Sequence, residues 1–354
     1  MRKLRNYVVW TLIAAVIEFS VFYYVDNNNF KSVGSYKETP IVVKKASKKF
    51  KISIPNGAAF MKMSDDGNYI SYYVDGNLKV ADTSNGNVDN VQPANNASIA
   101  LTSWAPGSDI LSIVEKSSDS SGTYMKMYSY NADKKEKTER IANDTKKIAK
   151  IEVSRKSDKI VDVSESSQTG SFYLKIGTAQ NNTEAIYRVN IMNEPQIVDG
   201  TEWKTNIGKI NQFKLDEKSG DLLVYEDTNK NKVKVEGRNS ISLPDVEKQC
   251  LLSVDDDNNI YIGSVVDNKV TQIYYGTYQT SASKWQSIKL DSPADASDIF
   301  INNIGKIYTV DNLKGIVTDT STKKTYKFNG TFVQIYDDGV ASLDDGKLVN
   351  ILFK

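Results

Sequence analysis

Beyond residue 40 the chain repeats one pattern, in which a strand of alternating apolar and polar residues, a short polar turn and another alternating strand follow each other. The clearest copy spans residues 60–82, where turns at 64–68 and 75–77 separate three short strands. Such turns favour tight hairpins, because Gly and Asn tolerate positive φ and Asp hydrogen-bonds to nearby backbone. The pattern predicts an all-β domain over residues 40–354, without the 3.6-residue period of a helix.

The spacing of these turns is typical of one architecture. With one turn residue per copy as a marker, the interval averages about 45 residues, and β-propeller blades recur at about 40–50 residues. We therefore predict seven blades, with six as the alternative. The interval between 158 and 220 is the longest, and we place its extra residues in a loop near 177–184 or 199–206. The markers are Gly67, Gly107, Asp158, Gly220, Asn259, Gly305 and Gly339.

The two ends of the domain indicate how the ring closes. The C-terminal end has room for only three strands of a final blade, near residues 331–335, 340–343 and 347–353. Either residues 41–45 or residues 50–54 can supply the fourth strand. Because closure removes exposed sheet edges, we predict that this N-terminal strand completes the last blade.

The first two copies resemble the repeat of TolB-type propellers, which is also found in the propeller domains of prolyl-oligopeptidase and dipeptidyl-peptidase enzymes. In that family a strand ends in a turn similar to Ser-Pro-Asp-Gly and an aromatic-rich strand follows. Here residues 64–67 lack the proline, whereas residues 103–107 contain Pro106 at a shifted position. The resemblance implies blade geometry alone, since no α/β-hydrolase portion accompanies it.

The first 25 residues have a different pattern, that of a membrane anchor. Residues 7–25 form an apolar run that as a helix spans about 28 Å, close to a hydrocarbon core of roughly 30 Å. Arg2, Lys3 and Arg5 precede the run, so the positive-inside rule places the N-terminus in the cytoplasm. No small residues suited to a signal peptidase follow it, which favours an uncleaved signal-anchor. We predict a cytoplasmic tail (1–6), one transmembrane helix (7–25), a polar tether (26–39) and an extracytoplasmic propeller (40–354) at the cell membrane.

Two features of this end are candidate contacts. Glu18 lies within the predicted span, where a carboxylate costs about 2.5–3.5 kcal/mol. It either pairs with a polar group on a partner helix or is tolerated there, protonated or snorkelling. The cationic segment after the tether either contacts anionic lipid or wall polymer or decorates an edge strand. Its members are Lys44, Lys45, Lys48, Lys49 and Lys51.

The composition excludes several kinds of chemistry. With 45 basic and 44 acidic residues the net charge is +1, so no bulk field attracts nucleic acid. The chain has no histidine, which excludes Ser-His-Asp and Cys-His nucleophiles and His-ligated zinc. Cys250 is the only cysteine, so no intrachain disulfide or cysteine metal cluster forms. Its apolar neighbours predict that it packs as a small hydrophobe.

One short motif imitates a metal site but lacks required members. Asp255, Asp257 and Asn259 resemble the start of a calcium loop, but Ile260 and Val266 occupy the positions that need Gly and Glu. We therefore predict a hairpin turn there. No cofactor, metal ligand or catalytic residue is assigned.

Together these observations favour a membrane-anchored binding or scaffold protein, whose propeller contacts another envelope or membrane protein or an envelope polymer. The alternative is a hydrolase or lyase that works without histidine, with its site at the propeller channel. The fold does not choose between them. Buried, mutually close Asp, Glu, Lys or Tyr side chains in the channel favour the enzyme, whereas a filled or featureless channel argues against it.

Overall fold

A computed structural model of the chain describes Glu18, Ser20 and residues 49–141, 146–153, 155–166, 169–178, 183–190, 194–215 and 220–353. From residue 49 onward these residues form seven antiparallel sheets arranged as a β-propeller. The prediction of seven blades is confirmed.

Each blade is built from consecutive strands joined by hairpins, because successive alternating segments pair through the short polar turns. Blade 1 contains β1 (Ala59–Met63), β2 (Tyr69–Val74), β3 (Asn77–Asp82) and β4 (Val88–Val91). Blade 2 contains β5 (Ala97–Trp104), β6 (Ile110–Asp119), β7 (Gly122–Asn131), β8 (Glu136–Glu139) and β9 (Lys150–Val153). Blade 3 contains β10 (Lys159–Glu165), β11 (Phe172–Gly177), β12 (Glu184–Val189) and β13 (Gln196–Ile197).

The remaining blades follow the same order. Blade 4 contains β14 (Ile207–Lys214), β15 (Asp221–Asp227) and β16 (Lys232–Val235). Blade 5 contains β17 (Gln249–Val254), β18 (Asn259–Val266), β19 (Lys269–Thr277) and β20 (Gln286–Ala294). Blade 6 contains β21 (Ile299–Ile301), β22 (Ile307–Asp311), β23 (Ile316–Asp319) and β24 (Thr325–Lys327). Blade 7 contains β25 (Thr331–Tyr336), β26 (Gly339–Asp344) and β27 (Lys347–Leu352), and two short 3-10 turns occur at Ala282–Lys284 and Ala296–Asp298.

The first strand of each blade lines the central channel. Strand β1 contacts β25 on one side and β5 on the other, and contact continues through β10, β14 and β17 to β21. The hairpin turns between first and second strands therefore surround one mouth of the channel, which we call the turn face. Its described turns are residues 64–68, 105–109, 166–171, 255–258, 302–306 and 337–338.

The N-terminal end of the domain closes the ring. Ser53 pairs antiparallel with Lys347, and the Ile54 N–H donates to the Gly346 carbonyl at 2.7 Å. The Leu348 N–H donates to the Ile52 carbonyl at 3.1 Å. This fourth strand of blade 7 confirms the prediction for residues 50–54, while residues 41–45 lie outside the described residues.

One blade boundary differs from the prediction. The turn marked by Asp158 precedes β10, which is the first strand of blade 3, so it joins two blades. The turn that matches the other markers is 166–171, where the Ser166 N–H donates to the Ser171 carbonyl at 3.0 Å. The extra length predicted for a loop in blade 3 belongs instead to blade 2, where β6 and β7 each have 10 residues. There the outer edge is divided between β8 and β9, which both pair with β7.

Hydrophobic clusters between adjacent blades hold the ring together. Met125 and Met127 of blade 2 pack against Phe172 and Leu174 of blade 3, and all four side chains are buried. Cys250 is half-buried and packs against the core of blade 5, as predicted, and burial raises the pKa of its thiol to about 12.

The predicted anchor lies almost entirely outside the described residues. Only Glu18 and Ser20 of residues 1–48 are described, and both are helical and exposed. Among the residues that the structure describes, no helix is long and apolar enough to cross a membrane. The tail, the tether, the rest of the span and Lys44, Lys45 and Lys48 are outside the described part.

Candidate functional site

A β-bulge shapes the strands that line the channel. Six of the seven first strands, all except β21, contain a register shift against the second strand of their blade. A bulge bends its strand and re-aims the neighbouring side chains. Charged and amide side chains beside the bulges reach toward the adjacent blade, and we call this layer of the channel the bulge level. Its members are Lys62, Asp162, Lys209 and Gln334.

Two members of the bulge level connect blade 1 to both of its neighbours. The Lys62 ammonium donates to the Thr102 carbonyl of blade 2 at 3.0 Å. The Gln334 amide of blade 7 accepts from the Met63 N–H at 3.0 Å and donates to the Met63 carbonyl at 3.2 Å. Burial lowers the pKa of Lys62, and the charge of Asp162 opposes this shift.

The other two members connect blades 3, 4 and 5. The Ile210 N–H of blade 4 donates to Oδ2 of Asp162 in blade 3 at 2.9 Å. The Lys209 ammonium of blade 4 donates to the Leu252 carbonyl of blade 5. Burial lowers the pKa of Lys209, and Asp162 and Glu226 oppose this shift. At the bulge level, charged groups therefore hold neighbouring blades together.

Between the bulge level and the turn face the channel holds a cavity of about 280 Å³. Its wall is formed by β10, β14, the end of β17 and the turns that follow these strands. Carboxylates outnumber cations, which makes the site acceptor-rich. The carboxylates are Asp162, Glu165, Asp221, Asp255 and Asp256, and the cations are Lys209 and Lys214.

Glu165 is the most perturbed side chain of the cavity wall. Its side chain is only 4% exposed, and Oε1 accepts from the Ser112 hydroxyl at 2.8 Å and lies 3.8 Å from Nη2 of Arg140. Its Oε2 is buried and has no hydrogen-bond partner among the described residues. Burial raises the pKa of Glu165 to about 7, although Ser112 and Arg140 favour the ionised form. The carboxyl group therefore titrates near neutral pH.

Gln212 supplies a second buried oxygen without a partner. The residue is 6% exposed, and its Nε2 donates to the Ser171 carbonyl at 3.4 Å. Its Oε1 is buried and, within the described part of the chain, accepts no hydrogen bond. An unsatisfied buried polar group costs about 1–3 kcal/mol.

Acidic turns surround the cavity mouth. Oδ2 of Asp65 accepts from the Gly107 N–H at 2.7 Å and from Nδ2 of Asn303 at 2.9 Å, which joins three turns across the face. Burial, together with Asp255, Asp65 and Asp257, raises the pKa of Asp256. No group of three or more Asp, Glu, Cys or His side chains among the described residues could hold a metal ion.

The calcium-like motif is a hairpin turn, as predicted. Asp255 accepts from the Asn259 N–H at 2.8 Å, from Nδ2 of Asn259 at 2.9 Å and from the Tyr261 hydroxyl at 2.7 Å. These contacts satisfy the carboxylate within blade 5 and fix the turn.

Asp255, which the sequence placed in a hairpin turn, lines this cavity, whereas the candidate contacts Lys49 and Lys51 do not. Lys49 and Lys51 are exposed and line a groove beside β27 at the closing strand. Conversely, the sequence did not single out Glu165 or Lys209, because a polar position in an alternating strand ordinarily faces solvent. Their position in the strand before a marker turn was the only sequence feature that could have indicated them. For Glu165 this feature was lost, because the marker turn had been placed at Asp158.

Comparison with known proteins identifies the fold. No family model matches the sequence, and no curated protein matches it either. An oligogalacturonate lyase from Vibrio parahaemolyticus superposes with a TM-score of 0.52 at 11% identity, covering 86% of this chain and 90% of that one. The β-propeller domain of Cps50 (Swd1) from Myceliophteria thermophila superposes with a TM-score of 0.50 at 9% identity, covering 86% and 99%.

The propeller of a peptidase is also among the similar structures. The tricorn protease matches at 12% identity with a TM-score of 0.45, and the match covers 87% of this chain and 34% of that one. The seven blades agree with the propeller fold that the sequence resemblance implied. At these identities the similarity concerns the fold alone: residues 49–353 are a seven-bladed β-propeller.

Proposed function

We propose that this chain is a binding module whose ligand enters the central cavity at the turn face. The observation that carries this proposal is the polar cavity of about 280 Å³ at the turn face, which hydroxyl, amide and carboxyl groups of β10, β14 and β17 line. Concave sites with a few convergent polar groups are where proteins ordinarily bind small ligands.

The proposed location follows from the sequence. Residues 7–25 hold the propeller at the outer side of the cell membrane, with the N-terminus in the cytoplasm, and the ligand belongs to an envelope protein or an envelope polymer. Glu18 is the proposed contact to a partner helix, and the cationic segment that includes Lys49 and Lys51 is the proposed contact to an anionic surface.

Binding is favoured over catalysis because most charged groups of the channel already have structural partners. Asp162 and Lys209 hold backbone groups of neighbouring blades, and Asp255 is satisfied within its own turn. Among the described charged groups of the cavity wall, only Glu165 has a pKa raised to about 7.

In-cell crosslinking tests the proposed function. A photo-crosslinking amino acid at Lys214, on the cavity wall, is expected to form a discrete adduct in living cells. The matched control is the same amino acid at Val88, which is 46% exposed on the outer strand β4. Equal labelling from both positions, or none from Lys214, would contradict a binding site at the cavity.

One observation supports a histidine-free hydrolase or lyase as the second candidate. A carboxyl group with a pKa of about 7 suits general acid–base chemistry near neutral pH, and Glu165 has this property. If the captured ligand is turned over by the full chain, Glu165→Gln is expected to abolish turnover while the crosslink from Lys214 persists. Turnover that survives the substitution rules out Glu165 as the acid or base.

A further inference from the structure

We infer that Asn56 is a site of spontaneous chemical modification, where the side-chain amide is lost through a succinimide and the product is aspartate or isoaspartate. This inference is independent of the binding function proposed above. The sequence contains three Asn-Gly pairs, at residues 56–57, 85–86 and 329–330. All three asparagines are exposed, so hydrogen bonding and packing, rather than exposure, distinguish them.

The reaction places two requirements on the glycine. Its backbone nitrogen gives up a proton to water and attacks Cγ of the preceding asparagine. A C–N bond forms, and the side-chain nitrogen takes up a proton and leaves as ammonia. Water then opens the five-membered ring at either carbonyl, which gives aspartate or isoaspartate. The glycine N–H must therefore be free of a hydrogen bond, and the backbone must have space to turn toward Cγ.

The first pair, Asn56 and Gly57, meets both requirements. These residues form the turn between the closing strand and β1, in which the Ala58 N–H donates to the Pro55 carbonyl at 3.2 Å. Neither the Gly57 N–H nor the Asn56 side chain makes a hydrogen bond to a described residue. Beyond its chain neighbours, no heavy atom lies within 4 Å of the position that a Cβ on Gly57 would occupy. This turn therefore has space to rearrange.

The second pair, Asn85 and Gly86, meets neither requirement. The Gly86 N–H donates to the Asp82 carbonyl at 2.9 Å. Nδ2 of Asn85 donates to the Asp82 carboxylate at 2.6 Å, and Oδ1 accepts from the Asn87 N–H at 2.7 Å. Attack on Cγ would break these hydrogen bonds, each of which stabilises the turn. The pair is an internal control, because it contains the same two residue types.

The third pair, Asn329 and Gly330, is restricted by packing. A Cβ on Gly330 would overlap with the carbonyl oxygen of Leu343 in blade 7. The backbone of this glycine is therefore held against β26, and Asn329 is expected to react more slowly than Asn56.

Peptide mapping of the full chain by mass spectrometry, after incubation in detergent micelles at mildly alkaline pH, tests this inference. Asn56 is expected to deamidate faster than Asn85 by about tenfold or more, because the hydrogen bonds that Asn85 and Gly86 must break raise the barrier. Enzymatic methylation of isoaspartate identifies the product. In concentrated urea the three pairs are expected to react at similar rates, because the structure that distinguishes them is lost.

Two variants connect the rates to named atoms. Asp82→Ala removes the carboxylate that holds Nδ2 of Asn85 but keeps the backbone carbonyl that holds Gly86. The rate at Asn85 is expected to rise severalfold, while the rate at Asn56 does not change. Asn56→Gln is the control for ageing, because glutamine would have to form a less favourable six-membered ring and reacts much more slowly.

The modification also has an expected effect on the ring. Isoaspartate adds an atom to the backbone between the closing strand and β1, so the aged chain is expected to melt a few degrees below the equally aged Asn56→Gln variant. Equal melting temperatures would overturn this effect. Equal rates at Asn56 and Asn85 in the folded chain, or a difference that persists in urea, would overturn the inference itself.

Discussion

Buried polar groups differ in their hydrogen bonding between two layers of the same channel. At the bulge level, Lys62, Asp162 and Lys209 each bind a backbone group of the next blade. In the wall of the cavity above, Glu165 and Gln212 each keep one buried oxygen that accepts no hydrogen bond from a described residue. The difference indicates that a buried charge in a propeller channel is not by itself a functional group, because it can serve to join two blades.

The largest loss of stability is expected when the strand that closes the ring is removed. A chain that begins at residue 56 lacks the closing strand, which buries Ile52 and Ile54 and makes hydrogen bonds to blade 7. Losing two buried isoleucines costs about 3–6 kcal/mol, so the melting temperature is expected to fall by about 10 °C relative to a chain that begins at residue 40. Circular dichroism melts of the two chains provide the measurement, and equal midpoints would refute closure by this strand.

Removing one clamp of the bulge level is expected to have a smaller effect. Asp162→Ala leaves the N–H groups of Ile210 and Val163, both 2.9 Å from the carboxylate, without their acceptor. At about 1–3 kcal/mol for each unsatisfied group, unfolding is expected to become easier by about 3 kcal/mol. Urea denaturation measures this free energy.

The control for Asp162→Ala removes an ion pair at the surface. Asp311→Ala loses an exposed ion pair with the Lys314 ammonium and a hydrogen bond from the exposed Lys314 N–H at 3.0 Å, which together contribute about 1 kcal/mol. If the two alanine variants lose equal stability, Asp162 is not a structural clamp.

Glu165 in the cavity layer predicts a change of stability between pH 4.5 and pH 7. The pKa of Glu165 is raised from 4.5 to about 7, so the folded chain holds a proton that the unfolded chain releases between these values. Stability from this group is complete below pH 4.5, falls as the pH rises to about 7 and is constant above it, by an amount on the order of 3 kcal/mol. The charged group nearest to Glu165 is Arg140, and Asp162, Asp221 and Lys209 line the same cavity.

Glu165→Gln isolates this effect, because glutamine does not titrate. The unfolding free energy of the variant relative to the unmodified chain is expected to rise between pH 5 and pH 7 and then level off. Denaturation curves at several pH values give the difference directly. A difference that is independent of pH would mean that Glu165 does not titrate in this range.

The sequence predicted the number of blades and the closing strand, but it did not predict the residues of the cavity wall. Turn chemistry such as 64–68 sufficed for the blade count, since Gly67 adopts the positive φ of 70° that the turn requires. The same turn residues gave a wrong marker at Asp158, because the connection between blades 2 and 3 contains the same residue types as a hairpin turn within a blade. Glu165 and Gln212 were not found because being unsatisfied depends on neighbours in other blades. Ser112 and Arg140 of blade 2, which surround Glu165, are far from it in the sequence.

The closing strand also has a mechanical consequence. A pull on the N-terminal end of the chain first reaches residues 51–54, where the Lys51 N–H donates to the Thr83 carbonyl of blade 1 at 2.8 Å and residues 52–54 join blade 7 through few hydrogen bonds. Under tension the hydrogen bonds of the closing strand bear the force before those of any hairpin. The propeller is therefore expected to yield first at its closure, and the other blades remain intact until this link has opened.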